Sequence, residues 1–325
     1  MSFFPREINT LFSQKIMNPF FLKRCQTYFG ADKLISLRIF PKKTLSRNIL
    51  ILYRLSLSKK RKKLSKNIWG KTIKERQFRL LRFFAKTKIG KYSPNYFEYL
   101  PSLKFGFSED IEGKQIRSFE KKFSFWEKNI SKFSQILAEF QKTKIPATFL
   151  KTYTINEEKK YIRDSLKKIR NYSPEEGKKY KELKNYYLKN LFTRCWTKNF
   201  FSFCHFDFQP SNIFYIKRTK NFVLLDFDSS KKFHPAIDLA NFWVHFYVMA
   251  RYHFLQKKVF SLCDKFLQPY FQKTKLKKGF VDCFSLFRLR TILDIAQITA
   301  SVFKRPSKES QKVFDKLDEL LKICL

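Results

Sequence analysis

The apolar-rich, β-prone run RNILILYRLSL (47–57) predicts a strand. The basic run SKKRKKLSK (58–66) follows and reads as a turn tip, after which KLSKNIWG (63–70) predicts a second strand. Leu64, Lys66 and Ile68 fall on one face of that strand, which sets a lysine among apolar neighbours. The period then lengthens. KTIKERQFRLLRFFAKT (71–87) predicts a helix, with Glu75, Phe78 and Arg82 at helical spacing. KFGFSEDIEGK (104–114) predicts a short strand running into a turn at Gly113, and 115–199 is charged and strongly helical, with FSQILAEFQKT as an amphipathic piece. NIFYI and NFVLLDF, on either side of KRTKN, predict a β-hairpin. LANFWVHFYVMA predicts a core helix too short to span a bilayer, and FSLFRLRTILDIAQITASVF and SQKVFDKLDELLKICL predict two more helices. Residues 1–35 are mixed and assign no element. Strands gathered ahead of a helical body point to an α+β fold, with a small sheet lobe over 1–112 and a larger helical part over 113–325.

Composition narrows the class. A chain of 325 residues with 44% apolar content and 40 Phe can bury a sizeable core, and its 7 Gly and 11 Pro argue against a loop-dominated all-β fold. The 68 Lys and Arg against 27 Asp and Glu give a net charge of +41, which favours contact with polyanions: nucleic acid, anionic lipid, nucleotides. The basic residues are spread along the whole chain, so solvated faces are the plainer reading. Six Cys show no C-x-x-C pairing, and with four scattered His they make no zinc framework. They read as reduced thiols in a cytoplasmic protein. MSFFPREINTLFSQK has no basic stretch followed by a long apolar core, so neither signal peptide nor membrane span is expected.

The candidate chemistry lies around the hairpin, in FCHFDFQPSN (203–212) and LLDFD (224–228). Asp207 and Asn212 precede its first strand and Asp226 closes its second. Antiparallel pairing is expected to bring these ends to one edge. Two carboxylates and a carboxamide oxygen there would offer hard ligands to Mg²⁺, with one carboxylate left over. Phosphoryl transfer needs that set: one Asp takes the proton of the attacking hydroxyl, while Asn and a second Asp hold the metal that bridges phosphate oxygens. His205-x-Asp207, Asn212 and Asp226-Phe-Asp share the skeleton of the protein-kinase H-R-D and D-F-G motifs.

With HPAIDLA (234–240) added, the chain resembles the aminoglycoside phosphotransferase and choline kinase family of the protein-kinase-like fold, whose pattern is H-G-D-x-x-x-x-N, a strand ending in a D-F/W-D/E, then D-L-A. The span between Asp228 and Asp238 is too short for the activation segment of a protein kinase. The resemblance implies two lobes, an ATP or GTP site with Mg²⁺, and transfer of the γ-phosphoryl to a hydroxyl of a small molecule such as a sugar, a glycan unit or a related metabolite. It implies Asp207 as catalytic base, Asn212 and Asp226 as metal ligands, Asp228 as a nearby acid, His205 bracing the loop and Asp238 as a structural residue. It further implies that Lys66 contacts phosphate and pairs with Glu75, and that Glu109 and Gly113 lie in the linker meeting adenine. Thr44, Ser46 and Asn48 are left to meet phosphate in a covering loop without glycine. Gln141 stands where the family commonly has His, and Phe206 where it often has Gly.

Plainer readings exist for several of these residues. Lys66 reads equally as a surface lysine, Glu75 as the i,i+4 partner of Arg79, His205 as a packing residue, and Asp238 as a helix brace. Two other functions stay open: a catalytically idle kinase-like scaffold that binds nucleotide, and a basic protein that binds RNA or anionic membrane.

Overall fold

The computed structural model describes residues 9–42, 49–196, 201–274 and 279–324. It begins with two short helices, α1 (Gln14–Leu22) and α2 (Cys25–Phe29), then three strands, β1 (Lys33–Lys42), β2 (Leu50–Lys59) and β3 (Lys62–Thr72). Helix α3 (Glu75–Ala85) and strands β4 (Tyr96–Leu100) and β5 (Phe105–Glu109) follow. The next stretch holds β6 (Lys114–Gln115), α4 (Phe123–Lys142), α5 (Ile155–Tyr172), α6 (Pro174–Asn190) and β7 (Ser202–Cys204). Strands β8 (Ile213–Ile216), β9 (Asn221–Leu224) and β10 (Lys231–Phe233) lead into helices α7 (Ala236–Ala250), α8 (Gln256–Lys273), α9 (Phe280–Phe303) and α10 (Lys308–Cys324). None of these helices is long and apolar enough to cross a membrane.

By contact the chain divides into two units, Met1–Gly113 with Ile216–Asp228, and Lys114–Tyr215 with Ser229–Leu325. A cut at 112/113 read from sequence assigns the whole hairpin to the later part. In the structure the chain changes unit within β8, so β9 and the D-F-D residues count with the first.

The first unit is an antiparallel five-stranded sheet in the order β1-β2-β3-β5-β4. The strand expected over 47–57 forms as β2, and its burial alternates. Ile51, Tyr53, Leu55 and Leu57 are fully buried while Arg54 between them is exposed. The predicted register of β3 holds for only half its length. Ile68 and Gly70 are buried, whereas Lys62–Lys66 run past the core and are exposed. Gly70 lets the rings of Phe105 and Tyr53 close over the strand, since a Cβ there would collide with both. Helices α1 and α2 supply Met17, Phe21 and Cys25 to the same core, and Tyr53 donates a hydrogen bond to the carbonyl of Leu11 (2.9 Å). Residues 10–29 therefore cover the sheet.

The second unit is mainly helical. Its α7 is almost wholly buried, in keeping with a mainly apolar sequence in which Asp238 and Asn241 are buried as well. Glu158 of α5 and Arg290 of α9 form an ion pair at 2.9 Å with side chains 0% and 5% exposed. Tyr187 of α6 and Tyr153 each donate to the Glu158 carboxylate at 2.8 Å. One buried anion thus joins three helices, and its lone pairs are used by three donors, the condition under which a buried pair is tolerated. Cys195 and Cys283 are joined by a disulfide across 88 positions, which corrects the expectation of six reduced thiols. Pairing follows proximity in space, which spacing along the chain does not report, and the cysteine pattern ceases to be a guide to compartment. Cys25, Cys204 and Cys263 are free and buried.

Glu158→Ala leaves the Arg290 charge unpaired in the core, and the expected loss is about 3–5 kcal/mol of unfolding free energy. Urea denaturation of the variant beside wild type measures it.

Candidate active site

In the second unit, β7 delivers the chain to a loop that one buried carboxylate fixes. Asp238, in the first turn of α7, accepts the backbone N–H of His205 on Oδ2 and that of Phe206 on Oδ1, both at 2.8 Å. Gln141 of α4 adds its amide at 3.3 Å, and Tyr270 of α8 donates to the Gln141 carbonyl at 2.5 Å. Gln141 therefore steadies the Asp238 brace. Asn241 donates to the carbonyl of Phe206 (2.9 Å) and accepts from Thr291 (2.8 Å).

These bonds hold Phe206 at φ +67°, a left-handed conformation that favours glycine and costs a β-carbon-bearing residue about 1–2 kcal/mol. The ring offsets part of that by packing on Tyr153 (centroids 4.9 Å) and Phe233 (5.5 Å). The turn points the next residue, Asp207, away from the core. His205, fully buried, accepts the Asp207 N–H on Nδ1 (3.3 Å), so it braces the loop through that nitrogen. Asn212, on the short turn Pro210–Asn212, donates to Asp207 Oδ2 (2.7 Å) and to its carbonyl (2.9 Å), and Gln209 donates to Oδ1. Both Asn212 bonds use the amide nitrogen, which leaves the carboxamide oxygen as the atom suited to a cation.

In the first unit, Lys71 near the end of β3 places its ammonium 2.7 Å from Asp226 Oδ1 and 2.6 Å from Asp228 Oδ2. Burial works against the Lys71 charge, but Asp228 and Asp226 together hold its pKa above the ordinary value. Burial raises the pKa of Asp228, and the neighbouring Asp226 adds to that rise against the pull of Lys71. Tyr96, buried beside them, is pushed up to about 12, chiefly by burial. Gln77 of α3 donates to the Asp228 carbonyl. Asp226 itself sits at φ +59°, which Asp tolerates better than most residues, with nearly half of its side chain exposed. Among the described residues no three His, Cys, Asp or Glu side chains form a metal-binding group, so a cation at Asp226 needs a ligand of another kind. The carboxylate of Asp226 in the first unit and, taken separately, the carboxamide oxygen of Asn212 in the second are each hard oxygen donors of the kind a divalent ion takes.

The Lys66–Glu75 pair expected from sequence is not formed. Lys66 lies on the exposed half of β3, opposite Leu55, and Glu75 bonds Arg79 on the exposed face of α3. The physical reason is the pleat. Lys66 shares its face with Ile68, which turns into the core, whereas Lys71 shares the opposite face with Asn67 and Trp69, both bonded to Asp110 (3.1 and 2.7 Å). Sequence reasoning missed Lys71, Tyr96 and Gln77. The available signal was WGKT, where Lys71 continues Trp69's face into the paired half of the strand. Glu109 ends β5 with its side chain exposed, and Gly113 is the last residue of the first stretch. Thr44, Ser46 and Asn48 lie outside the described residues.

A family model described as choline/ethanolamine kinase matches residues 61–316. Among solved structures the chain is similar to the choline kinase LicA from Streptococcus pneumoniae, at 15% identity and a TM-score of 0.56, over 93% of this chain and 99% of that one. It is similar to an ethanolamine kinase from Plasmodium vivax (11%, TM-score 0.57, 98% and 95%). It is similar also to the amicoumacin kinase hAmiN, solved with AMP-PNP and Ca²⁺ (12%, TM-score 0.61, 97% and 96%). No curated protein matches. At these identities the solved structures establish the fold, α+β and protein-kinase-like.

Asp238 generates a pH dependence. Burial raises its pKa to about 7, against the bonds from His205, Phe206 and Gln141 that favour the anion. The folded state then keeps a proton that the unfolded chain releases near the ordinary Asp value of about 3.9. This group's contribution to stability is full below about 4, falls as pH rises toward 7, and is flat above. Urea midpoints for wild type and Asp238→Asn across that window should converge on the acid side in slope and differ by this falling component between.

Proposed function

The chain belongs to the choline/ethanolamine kinase family and is a small-molecule kinase, and from that premise we propose that it transfers the γ-phosphoryl of ATP, or GTP, in the presence of Mg²⁺ to a hydroxyl of an uncharged or anionic metabolite, a sugar or glycan unit being the class that fits best. The family uses a nucleotide and a divalent metal. Asp207 orients the acceptor hydroxyl and takes its proton. Asn212 and Asp226 are the side chains assigned to the cation, which when bound neutralises charge on the phosphates. Lys71 takes the phosphate-contacting role first expected of Lys66. Asp228 balances Lys71, and His205 and Asp238 hold the loop. Of the residues read as meeting nucleotide, Glu109 is retained for the linker, Ser46 and Asn48 for the covering loop, and Glu75 is released to the helix surface. Dependence on ATP favours a cytoplasmic location.

The observation that carries this reading is the loop in which Asp207 is held by Asn212 and Gln209 while Asp238 fixes the backbone behind it. That is preorganised positioning of a base, which an idle scaffold has no physical need to keep. The acceptor class follows from charge. Choline and ethanolamine are cations at neutral pH, and a chain of net charge +41 is a poor host for them unless its site is locally acidic.

Label transfer from ATP to a panel of hydroxylated metabolites, with and without Mg²⁺, tests the proposal. Asp207→Asn should lower kcat by about 10²–10⁴-fold, the range for losing a general base. ATP turnover unchanged in that variant would contradict the assignment. Lys71→Met should reduce kcat/KM by roughly 10²-fold, as for loss of an electrostatic stabiliser, with Lys66→Met within about twofold of wild type. A larger loss in Lys66→Met than in Lys71→Met would return the role to Lys66, and equal losses would contradict the assignment to Lys71.

A further inference from the structure

Against the ring of Phe206, the residue before Asp207, the second unit carries a cation that phosphoryl transfer does not require. Lys231 is the first residue of β10 and pairs in register with Cys204 of β7, three positions before Asp207. Its ammonium lies 4.2 Å from the centroid of the Tyr153 ring and 5.7 Å from that of Phe206, the residue next to the base. Glu157 balances it at 3.5 Å and is itself bonded by Lys151 at 3.0 Å and by the N–H and hydroxyl of Thr154, both at 2.9 Å. The guanidinium of Arg290 faces the Phe206 ring as well, at 6.0 Å. About a quarter of the Lys231 side chain remains exposed, so the group lies at a surface and is not sealed in the core.

An aromatic face attracts a positive charge, and two such faces beside a carboxylate make a receptor for an ammonium ion. Placed one residue from the catalytic base, Tyr153, Phe206 and Glu157 have the chemistry that would hold the ammonium of an amino alcohol while its hydroxyl reached Asp207. In this chain the position is already taken by a cation tied to the backbone. A second cation there would displace Lys231 from both rings and from Glu157, or meet its charge at close range.

We propose that Lys231 determines acceptor specificity: its ammonium occupies the cation position on the Tyr153 and Phe206 rings, so the alcohol presented to Asp207 is one without positive charge. The proposal rests on the reading of Asp207 as the base. It narrows that reading by excluding amino alcohols through a named side chain. Arg290 reinforces the exclusion, but it is committed to Glu158, whereas Lys231 can be removed without opening the core.

The test uses the full chain with Mg²⁺ and AMP-PNP, and choline as the probe, titrated by calorimetry into wild type, Lys231→Met and Lys231→Arg. Met keeps the packing of the stem and removes the charge; Arg keeps the charge. Choline should bind Lys231→Met at least roughly tenfold more tightly than wild type, with Lys231→Arg indistinguishable from wild type. Wild type should phosphorylate choline less efficiently than the best neutral polyol of a sugar and polyol panel. Choline affinity unchanged by Lys231→Met, or tight choline binding by wild type, overturns the proposal, as does a gain in Lys231→Arg equal to that in Lys231→Met. ATP turnover by wild type and Asp207→Asn, run in parallel, reports separately on the kinase reading. The binding comparison needs no turnover, so the two can fail independently.

Discussion

The active loop rests on the carboxylate of Asp238. It accepts two consecutive backbone N–H groups, which a carboxylate can do only if the chain curls around it, and that curl forces Phe206 into the left-handed region. Everything chemical about the loop descends from this. Asp207 leaves the curl facing outward, where Asn212 and Gln209 can reach it, and His205 is drawn inward until its ring accepts the Asp207 N–H. The anion is buried, so its charged form is disfavoured, and Gln141, Tyr270, Asn241 and Thr291 form the hydrogen-bonded setting that makes it tolerable. The bonds of the Asp238 carboxylate go to the loop backbone and to Gln141, so it organises the loop and does not cap its own helix.

The first unit solves a different electrostatic problem. Asp226 and Asp228 share Lys71, which leaves the three groups with one net negative charge at partly exposed carboxylates. Lys71 keeps its proton because two anions outweigh the cost of its burial, and Asp228 shows the opposing pressure of being buried beside a like charge. Such a cluster is poised for a further positive charge. A divalent ion at Asp226 would relieve the repulsion that Lys71 alone can only halve.

Sequence made the loop residues legible because their chemistry is carried by residue type at fixed local spacing. His205, Asp207, Asn212 and Asp226 lie within 22 positions of one another in a chain with 27 acids in all, and the Asp238 brace follows in the next turn of helix. The strand lysine was not legible in the same way. Lys66 and Lys71 differ by an odd number of positions, so the two point to opposite faces of β3, and only the sheet's packing tells which face is core. Strand β1 and the helices before it were missed for a related reason. The helices are short, with Pro19 inside α1, and the apolar residues of β1 are mostly half-covered, so that strand's identity is set by the β2 strand it pairs with and not by its own pattern. The disulfide belongs to the same class of tertiary facts.

The large positive charge finds its meaning by location and not by sum. A lysine on a solvated strand end, such as Lys66, is screened by water and constrains nothing beyond solubility. Lys71 and Lys231 are different because each is partly desolvated and each faces specific partners: two carboxylates in one case, two rings and Glu157 in the other. Partial desolvation strengthens those interactions and also makes the charge hard to move, so a group of this kind acts as a fixed point in any binding event near it. A ligand that meets this cluster gains by bringing positive charge, such as a metal ion, to the acids beside Lys71. A ligand that meets Lys231 gains only if it does not compete for the same rings. On this argument the net charge of +41 disfavours a cationic acceptor only in a general way, and the proposed role of Lys231 gives that effect one location.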